Sequence, residues 1–100
     1  MFIVFSKDEC SYCERALEFI SEELKATANV FDIIKHPATH RSIMEETGHK
    51  TVPAIYVGAT FIGGYDDLVE SHENGELRLF MLEEENRLLK LQIDRLRRSL

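Results

Sequence analysis

The sequence Phe2-Ile-Val-Phe-Ser-Lys-Asp-Glu-Cys-Ser-Tyr-Cys13 is the segment that says most about the fold of this chain. Its first four residues are apolar and either β-branched or aromatic, which predicts a buried strand that ends in a polar loop. From Ser11 to about Lys25, apolar residues recur at helical spacing and acidic residues occupy another face, which predicts a helix. Two cysteines therefore lie where a strand and loop give way to a helix.

The position of Cys10 and Cys13 favours thiolate chemistry. A cysteine at the N-terminus of a helix meets unpaired backbone amides and the positive end of the helix dipole, and both stabilise the thiolate. An ordinary thiol, with a pKa of about 8.5, is only about 3% ionised at pH 7, whereas such sites lower the pKa to roughly 3.5–7.5. Lys7, three residues upstream, adds a positive charge. We interpret Cys10 as the nucleophile and Cys13, one turn further along and more buried, as the thiol that resolves a mixed disulfide.

Two other interpretations of this pair are buried core cysteines and half of a zinc site. A structural zinc site needs two further ligands at matching spacing. The histidines show no paired spacing, and each is interpreted as a solvated surface residue: His36, His40, His49 and His72. The cysteine spacing and its strand–helix context therefore favour a redox pair, and no metal site is predicted.

Composition narrows the class of protein. One hundred residues, of which 44% are hydrophobic and 30% charged, are enough for one globular core. The net charge of −6 argues against nucleic acid as a partner, because phosphate binding needs an excess of Lys and Arg. The N-terminal apolar run is too short for a signal peptide or membrane span, so we expect no membrane association. Two cysteines suit a reducing compartment, and the expected location is cytoplasmic.

The sequence beyond the first helix predicts an α/β fold with three more strands. The predicted elements are a strand over 30–34, a helix over 39–47, strands over 54–57 and 60–62, and a third helix after Gly64. Pro37 is expected to stop the second strand, Gly48 to end the second helix, and Asp66 or Asp67 to cap the third. This order predicts a four-stranded mixed sheet whose first strand pair is parallel and whose second is antiparallel.

Thr51-Val52-Pro53 opens the third predicted strand. A cis peptide before Pro53 would leave the amide and carbonyl of Val52 free to pair with an incoming peptide backbone. An ordinary proline that starts a strand fits the pattern equally well.

Three motifs together resemble the glutaredoxin family: Cys10-Ser-Tyr-Cys13, Thr51-Val-Pro53, and Phe61-Ile-Gly-Gly64 followed by Tyr65-Asp-Asp-Leu68. They occur in the family's order and spacing, over residues 1–75. The resemblance implies a thioredoxin-like fold, with a four-stranded mixed sheet flanked by helices and a glutathione groove between the three motifs. It also implies glutathione-dependent reduction of protein disulfides and of glutathione mixed disulfides.

Glutathione carries two carboxylates and one ammonium, so its site needs cations at one end and an acid at the other. The resemblance implies that Val52 pairs through its backbone with the cysteinyl part of glutathione and that Tyr12 packs along the ligand. It implies that Asp67 and the amide of Asp66 contact the γ-glutamyl end, and that Lys7 and Lys50 contact the glycine carboxylate. The rest of the groove wall is then formed by Thr51, Pro53 and Gly64.

Two residues depart from the family pattern. Ser11 follows the first cysteine, where the commonest family active site has proline. Family members with serine there include proteins that hold a [2Fe–2S] cluster between two protomers through the first cysteine and bound glutathione. The alternative function is therefore a cluster scaffold or carrier with Cys10 as ligand. His40 lies near the position of a glutamine that helps to hold glutathione in some members.

Residues 76–100 predict a long C-terminal helix, separate from the domain over 1–75, with a heptad pattern. Position a is occupied by Leu79, Asn86, Ile93 and Leu100, and position d by Leu82, Leu89 and Leu96. Ile at a, Leu at d and one Asn at a favour a parallel two-stranded coiled coil, and hence a homodimer.

The charges beside this heptad agree with self-pairing, since Arg78 at g would face Glu83 at e of a partner, and Glu85 would face Lys90. The other interpretation is a lone amphipathic helix packed on its own domain. A second apolar stripe, formed by Met81, Leu88 and Leu91, supports that interpretation, or contact with a third helix or another protein.

Overall fold

A four-stranded mixed sheet forms the centre of the structure, a computed structural model that describes residues 1–99. The strands are β1 (Phe2–Ser6), β2 (Ala28–Asp32), β3 (Ala54–Val57) and β4 (Thr60–Gly63). Their order is β2-β1-β3-β4. β1 pairs in parallel with β2 and antiparallel with β3, and β3 pairs antiparallel with β4. The predicted α/β class and mixed sheet are confirmed.

Four helices flank the sheet: α1 (Ser11–Glu18), α2 (Pro37–Thr47), α3 (Tyr65–Glu73) and α4 (Glu76–Ser99). The first helix reaches nearly as far as predicted, but its last turns, Phe19–Glu23, are π-helical rather than α-helical. The amide of Leu24 donates to the carbonyl of Phe19, five residues back, which is the π-helical pattern. Gly48 ends α2 in the left-handed conformation, as predicted.

The second strand was predicted two residues too late. Ile33 and Ile34 are apolar and β-branched, but they form a turn. The turn is stabilised by Asp32, whose carboxylate accepts a hydrogen bond from the Ile34 amide at 2.8 Å. The Asp32 carbonyl also accepts from the amides of Lys35 and His36. Pro37 therefore does not stop a strand, and instead occupies the first turn of α2, where its missing amide costs nothing.

The start of α3 also differs from the prediction. Gly64 is the N-cap residue, and neither Asp66 nor Asp67 occupies that position. Asp67 instead contributes from the third helical position, where its carboxylate accepts from the Gly64 amide at 2.9 Å. The aspartate therefore stabilises the helix start from inside the first turn, as the acidic residue of a capping box does.

The core has two parts, one on each face of the sheet. The larger cluster joins the sheet to α1, α3 and α4, and contains Phe2, Val4, Ala16, Ile20, Ile55, Val57, Leu68 and Leu77. The smaller cluster lies under α2 and contains Phe5, Ile43 and Ala54. Adjacent residues of β1 and β3 thus point to opposite faces, which fixes the register of both strands.

α4 packs on the domain through its first turns and then extends past it. Leu77 is fully buried, and Phe80 and Met81 pack against the larger cluster. The Glu84 carboxylate occupies the space that a Cβ at Gly58 would need. Residues 85–98 are all exposed. The division between 1–75 and 76–100 stays a prediction, and Leu100 lies outside the described residues. None of the described helices, including α4, is apolar enough over sufficient length to cross a membrane.

Candidate active site

An open cleft of about 890 Å³ lies at the edge of the sheet where β1 ends and β3 begins. Five chain segments line it: the loop from β1 into α1, the turn after β2 at Ile33, the start of α2 at His40, the loop before β3, and the start of α3. The cleft brings together Cys10 and every residue that the resemblance assigned to glutathione, namely Lys7, Tyr12, Lys50, Thr51, Val52, Pro53, Gly64, Asp66 and Asp67. Residues far apart in sequence thus surround the predicted nucleophile.

Cys10 is the N-cap residue of α1 and lies at the cleft, half-buried. Its Sγ accepts from the backbone amide of Cys13 at 3.3 Å. Cys13 is 1% exposed, and the structure holds the two cysteines as a disulfide with Cα atoms 5.2 Å apart. An incoming disulfide therefore reaches Cys10 first. When the pair is reduced, the helix N-terminus stabilises a thiolate at the same place.

The loop before β3 approaches the cysteine closely. The Val52–Pro53 peptide is cis, which decides between the two interpretations of this proline. The carbonyl oxygen of Val52 lies 3.9 Å from Cys10 Sγ. A molecule bonded to that sulfur is consequently within reach of the backbone of Val52.

His49 supports this loop and was wrongly interpreted as a solvated surface residue. Its ring Nε2 lies 3.1 Å from the Pro53 carbonyl oxygen and 3.4 Å from Thr51 Oγ1. Its backbone amide donates to Thr47 Oγ1 at the end of α2. The half-buried His49 side chain thus contacts two later residues of the same loop, Thr51 and Pro53, while its backbone amide connects the loop to the end of α2. Nothing in the spacing of the histidines signalled this role, because the contacts depend on the fold of the loop.

The turn before α3 forms the acidic side of the cleft. Gly63 has φ of +125°, and the Asp67 carboxylate fills the space beside it that a side chain would need. This close approach requires glycine. Asp66 and Asp67 are exposed, and so are the cations Lys7 and Lys50 on other segments of the wall. The cleft therefore presents both signs of charge, as a ligand with carboxylates and an ammonium requires.

Tyr65 and His40 also line the cleft, although neither was predicted to bind glutathione. Tyr65 lies beside Tyr12, with ring centroids 6.3 Å apart, and beside Phe19. His40 projects from α2, and its buried Nε2 has no hydrogen-bond partner within the part of the chain that the structure describes. Its position near a family glutamine was the only signal in the sequence. A buried nitrogen without a partner costs free energy unless a ligand or water supplies one.

The sheet order, the cysteine pair at a helix N-terminus and the cis-proline loop define a thioredoxin-like dithiol protein. A family model for glutaredoxin matches residues 2–62. Over 81 residues the chain is 35% identical to human Glutaredoxin-1, and the aligned region covers 75% of this chain and 76% of the human protein. Over 80 residues it is 38% identical to Glutaredoxin-1 of Saccharomyces cerevisiae, covering 74% and 73%. The chain belongs to the glutaredoxin family and is an oxidoreductase.

Solved structures agree with this assignment. A crystal structure of a buckwheat glutaredoxin–glutathione complex matches with a TM-score of 0.72 at 30% identity, covering 84% of this chain and 78% of the buckwheat chain. The holo form of glutaredoxin C1 from Populus tremula x tremuloides matches with a TM-score of 0.72 at 29% identity, covering 83% and 84%.

Proposed function

We propose that this chain reduces protein disulfides and glutathione mixed disulfides, with glutathione as the reductant and the Cys10 thiolate as the nucleophile. The observation that carries the proposal is the position of Cys10 Sγ at the N-terminus of α1, 3.9 Å from the carbonyl of Val52 in the cis-proline loop. The sulfur is accessible, a thiolate there is stabilised, and the neighbouring backbone can orient a peptide-like substrate.

The reaction with a glutathione mixed disulfide needs Cys10 alone. The Cys10 thiolate attacks the glutathionyl sulfur, the original disulfide breaks, and the reduced protein leaves with the electron pair as a thiolate. A second glutathione thiolate then attacks the glutathionyl sulfur on Cys10. Glutathione disulfide leaves, and the Cys10 thiolate is restored. Electrons thus pass from two glutathione molecules to one disulfide.

A protein disulfide also requires Cys13. Attack by Cys10 leaves the substrate attached to the enzyme through one sulfur, and Cys13 then attacks Cys10 Sγ and releases the substrate's second thiolate. The product is the Cys10–Cys13 disulfide, which two glutathione molecules reduce. The short separation of the two Cα atoms, 5.2 Å, lies within the range that a disulfide spans.

The cleft suggests how glutathione is held. Val52 pairs with its cysteinyl backbone, while Asp67 and the Asp66 amide receive the γ-glutamyl end. Lys7 and Lys50 receive the glycine carboxylate; Tyr12, Thr51, Pro53 and Gly64 complete the wall. Support comes from the presence of all these residues in one cleft and from the likeness to a glutaredoxin solved with glutathione.

The partners that we propose are glutathione, proteins with disulfides or glutathionylated cysteines, and a second copy of this chain bound through α4. The net charge of −6 disfavours nucleic acid and anionic membrane surfaces. A dithiol that must be reduced by glutathione functions in a reducing compartment, and the proposed location is the cytoplasm.

Two single substitutions test the mechanism. Cys10→Ser should abolish turnover of a small glutathione mixed disulfide in an assay coupled to glutathione reductase, because no nucleophile remains. Cys13→Ser should retain much of this turnover and lose reduction of a protein disulfide. Equal losses of mixed-disulfide turnover in the two variants would refute the assignment of roles.

Binding of a [2Fe–2S] cluster is the second candidate function, favoured by Ser11 and by the accessible sulfur of Cys10. The described residues contain no group of three or more His, Cys, Asp or Glu side chains able to hold a metal. In this second proposal one chain would supply Cys10 Sγ, and glutathione and a second protomer would supply the other donors. Anaerobic reconstitution with iron, sulfide and glutathione tests this function: visible absorption that is lost in Cys10→Ser supports it, and a colourless wild-type protein refutes it.

A further inference from the structure

α4 presents two apolar faces that point in opposite directions. The apolar residues that pack on the domain are Leu77, Phe80 and Met81, and the Glu84 carboxylate lies against Gly58 on the same side of the helix. At 3.6 residues per turn, the heptad residues lie about half a turn away around the helix axis. We call them the seam, and within the described residues they are Leu79, Leu82, Asn86, Leu89, Ile93 and Leu96. The five apolar seam residues are 46–60% exposed. Packing on the domain therefore uses one face of α4 and leaves the seam free.

We propose that the seam binds the seam of a second copy of this chain, as a parallel two-stranded coiled coil. Two kinds of complementarity single out this occupant. Arg78 and Glu83 flank opposite edges of the seam, at heptad positions g and the following e, and Glu85 and Lys90 occupy the same two positions one heptad later. Each pair has opposite charges when a second, identical helix lies parallel to the first.

Asn86 fixes the orientation. In a parallel pair Asn86 meets Asn86 of the second copy, and the two amides can hydrogen-bond to each other. An antiparallel pair over the same residues would place Asn86 against Leu89 and leave a polar amide facing an apolar side chain, which is costly. The parallel arrangement satisfies the one polar residue among the described seam positions.

The position of the seam has a consequence for the cleft. Since the domain and the seam lie on opposite sides of α4, the two domains of the dimer lie outside the paired helices, with both helices between them. The two Cys10 sulfurs therefore cannot share one [2Fe–2S] cluster within this dimer, and each cleft works alone. A cluster shared by two protomers would need a different contact.

Molar mass in solution tests the pairing, measured by sedimentation equilibrium on the full chain. Wild type should approach twice 11.6 kDa as concentration rises. Leu89→Lys should remain at 11.6 kDa, with the dimer dissociation constant raised at least about a hundredfold, because it buries two like charges in the seam. Leu91→Lys is the matched control: Leu91 is 54% exposed, close to the 50% of Leu89, but lies off the seam. This control should dimerise as wild type does.

Other outcomes overturn the proposal. A wild-type chain that stays monomeric, or forms a trimer, refutes two-stranded pairing, and equal effects of the two lysine substitutions refute the seam. Orientation is tested with Leu96→Cys in a chain that also carries Cys10→Ser and Cys13→Ser. A parallel pair oxidises to a covalent dimer, whereas cross-linking only to a Leu79→Cys chain indicates an antiparallel pair.

The catalytic proposal is tested separately, since Leu89 is remote from the cleft. Turnover of a glutathione mixed disulfide per chain should be the same for Leu89→Lys and wild type, within about twofold. Loss of the dimer with full activity supports independent clefts, and parallel loss of both refutes them. Circular dichroism on each variant confirms that it folds.

Discussion

Replacement of Leu77 by alanine removes the side chain that anchors α4 to the domain. Leu77 is fully buried, and its cluster includes residues of β1, β3, α1 and α3. Truncation of a buried leucine costs about 2–5 kcal/mol, the sum of lost burial and the cavity left behind. A cost of about 3 kcal/mol in a domain of this size lowers Tm by about 12–24 °C.

The assay is unfolding by urea and by heat, with Leu91→Ala as the control. Leu91 has the same side chain on the same helix but is 54% exposed, so its replacement should change stability by less than about 0.5 kcal/mol. All chains are compared at one concentration, because Tm of a self-associating protein depends on it. Equal stability of Leu77→Ala and Leu91→Ala would show that α4 is an appendage and contributes nothing to the core.

Three further substitutions probe the cleft and α4. Asp67→Ala removes the acceptor of the Gly64 amide, so we expect a loss of about 1 kcal/mol in urea unfolding together with a higher KM for glutathione. His40→Ala should raise the KM for glutathione by about three- to tenfold and leave kcat nearly unchanged, because the buried Nε2 would otherwise bond to the ligand and takes no part in sulfur exchange. A hydrogen bond from Arg87 lowers the pKa of Glu84 from its ordinary value near 4.5. The stability that this ionised carboxylate contributes is present above that ordinary value and is lost as pH falls through the lowered pKa of the folded chain, so Glu84→Gln should lower Tm at pH 7 and have a progressively smaller effect as the solution is acidified.

The sequence predicted the elements whose pattern is local. β1 and β3 are short apolar runs that end in polar or turn residues, and the structure forms them where expected. The second strand was misplaced because Ile33 and Ile34 suit a strand as well as a turn. A single carboxylate, that of Asp32, decides between these states through a hydrogen bond that no periodicity reveals.

In the site, too, the features that follow from local sequence were predicted, and those that depend on tertiary contacts were missed. Motif spacing identified the cysteine pair and the Thr51-Val-Pro53 loop, since the residues of each motif are close together in sequence, and left the cis peptide as one of two interpretations. His40 and His49 reach the cleft from α2 and from the loop that follows it. Their roles depend on where α2 lies against the sheet, which is a tertiary property. The buried position of Leu77 likewise depends on how α4 returns to the domain, and the heptad pattern shows only the opposite face.

The pH dependence of Cys10 alkylation measures thiolate stabilisation at the helix N-terminus directly. In the Cys13→Ser variant Cys10 is the one remaining thiol, and the backbone amide at position 13 is retained. The rate of reaction with iodoacetamide should rise with a midpoint well below pH 8.5, within about 3.5–7.5, because the helix N-terminus stabilises the thiolate. A midpoint at or above about 8.5 would mean that Cys10 is an ordinary thiol, and would contradict its assignment as the nucleophile.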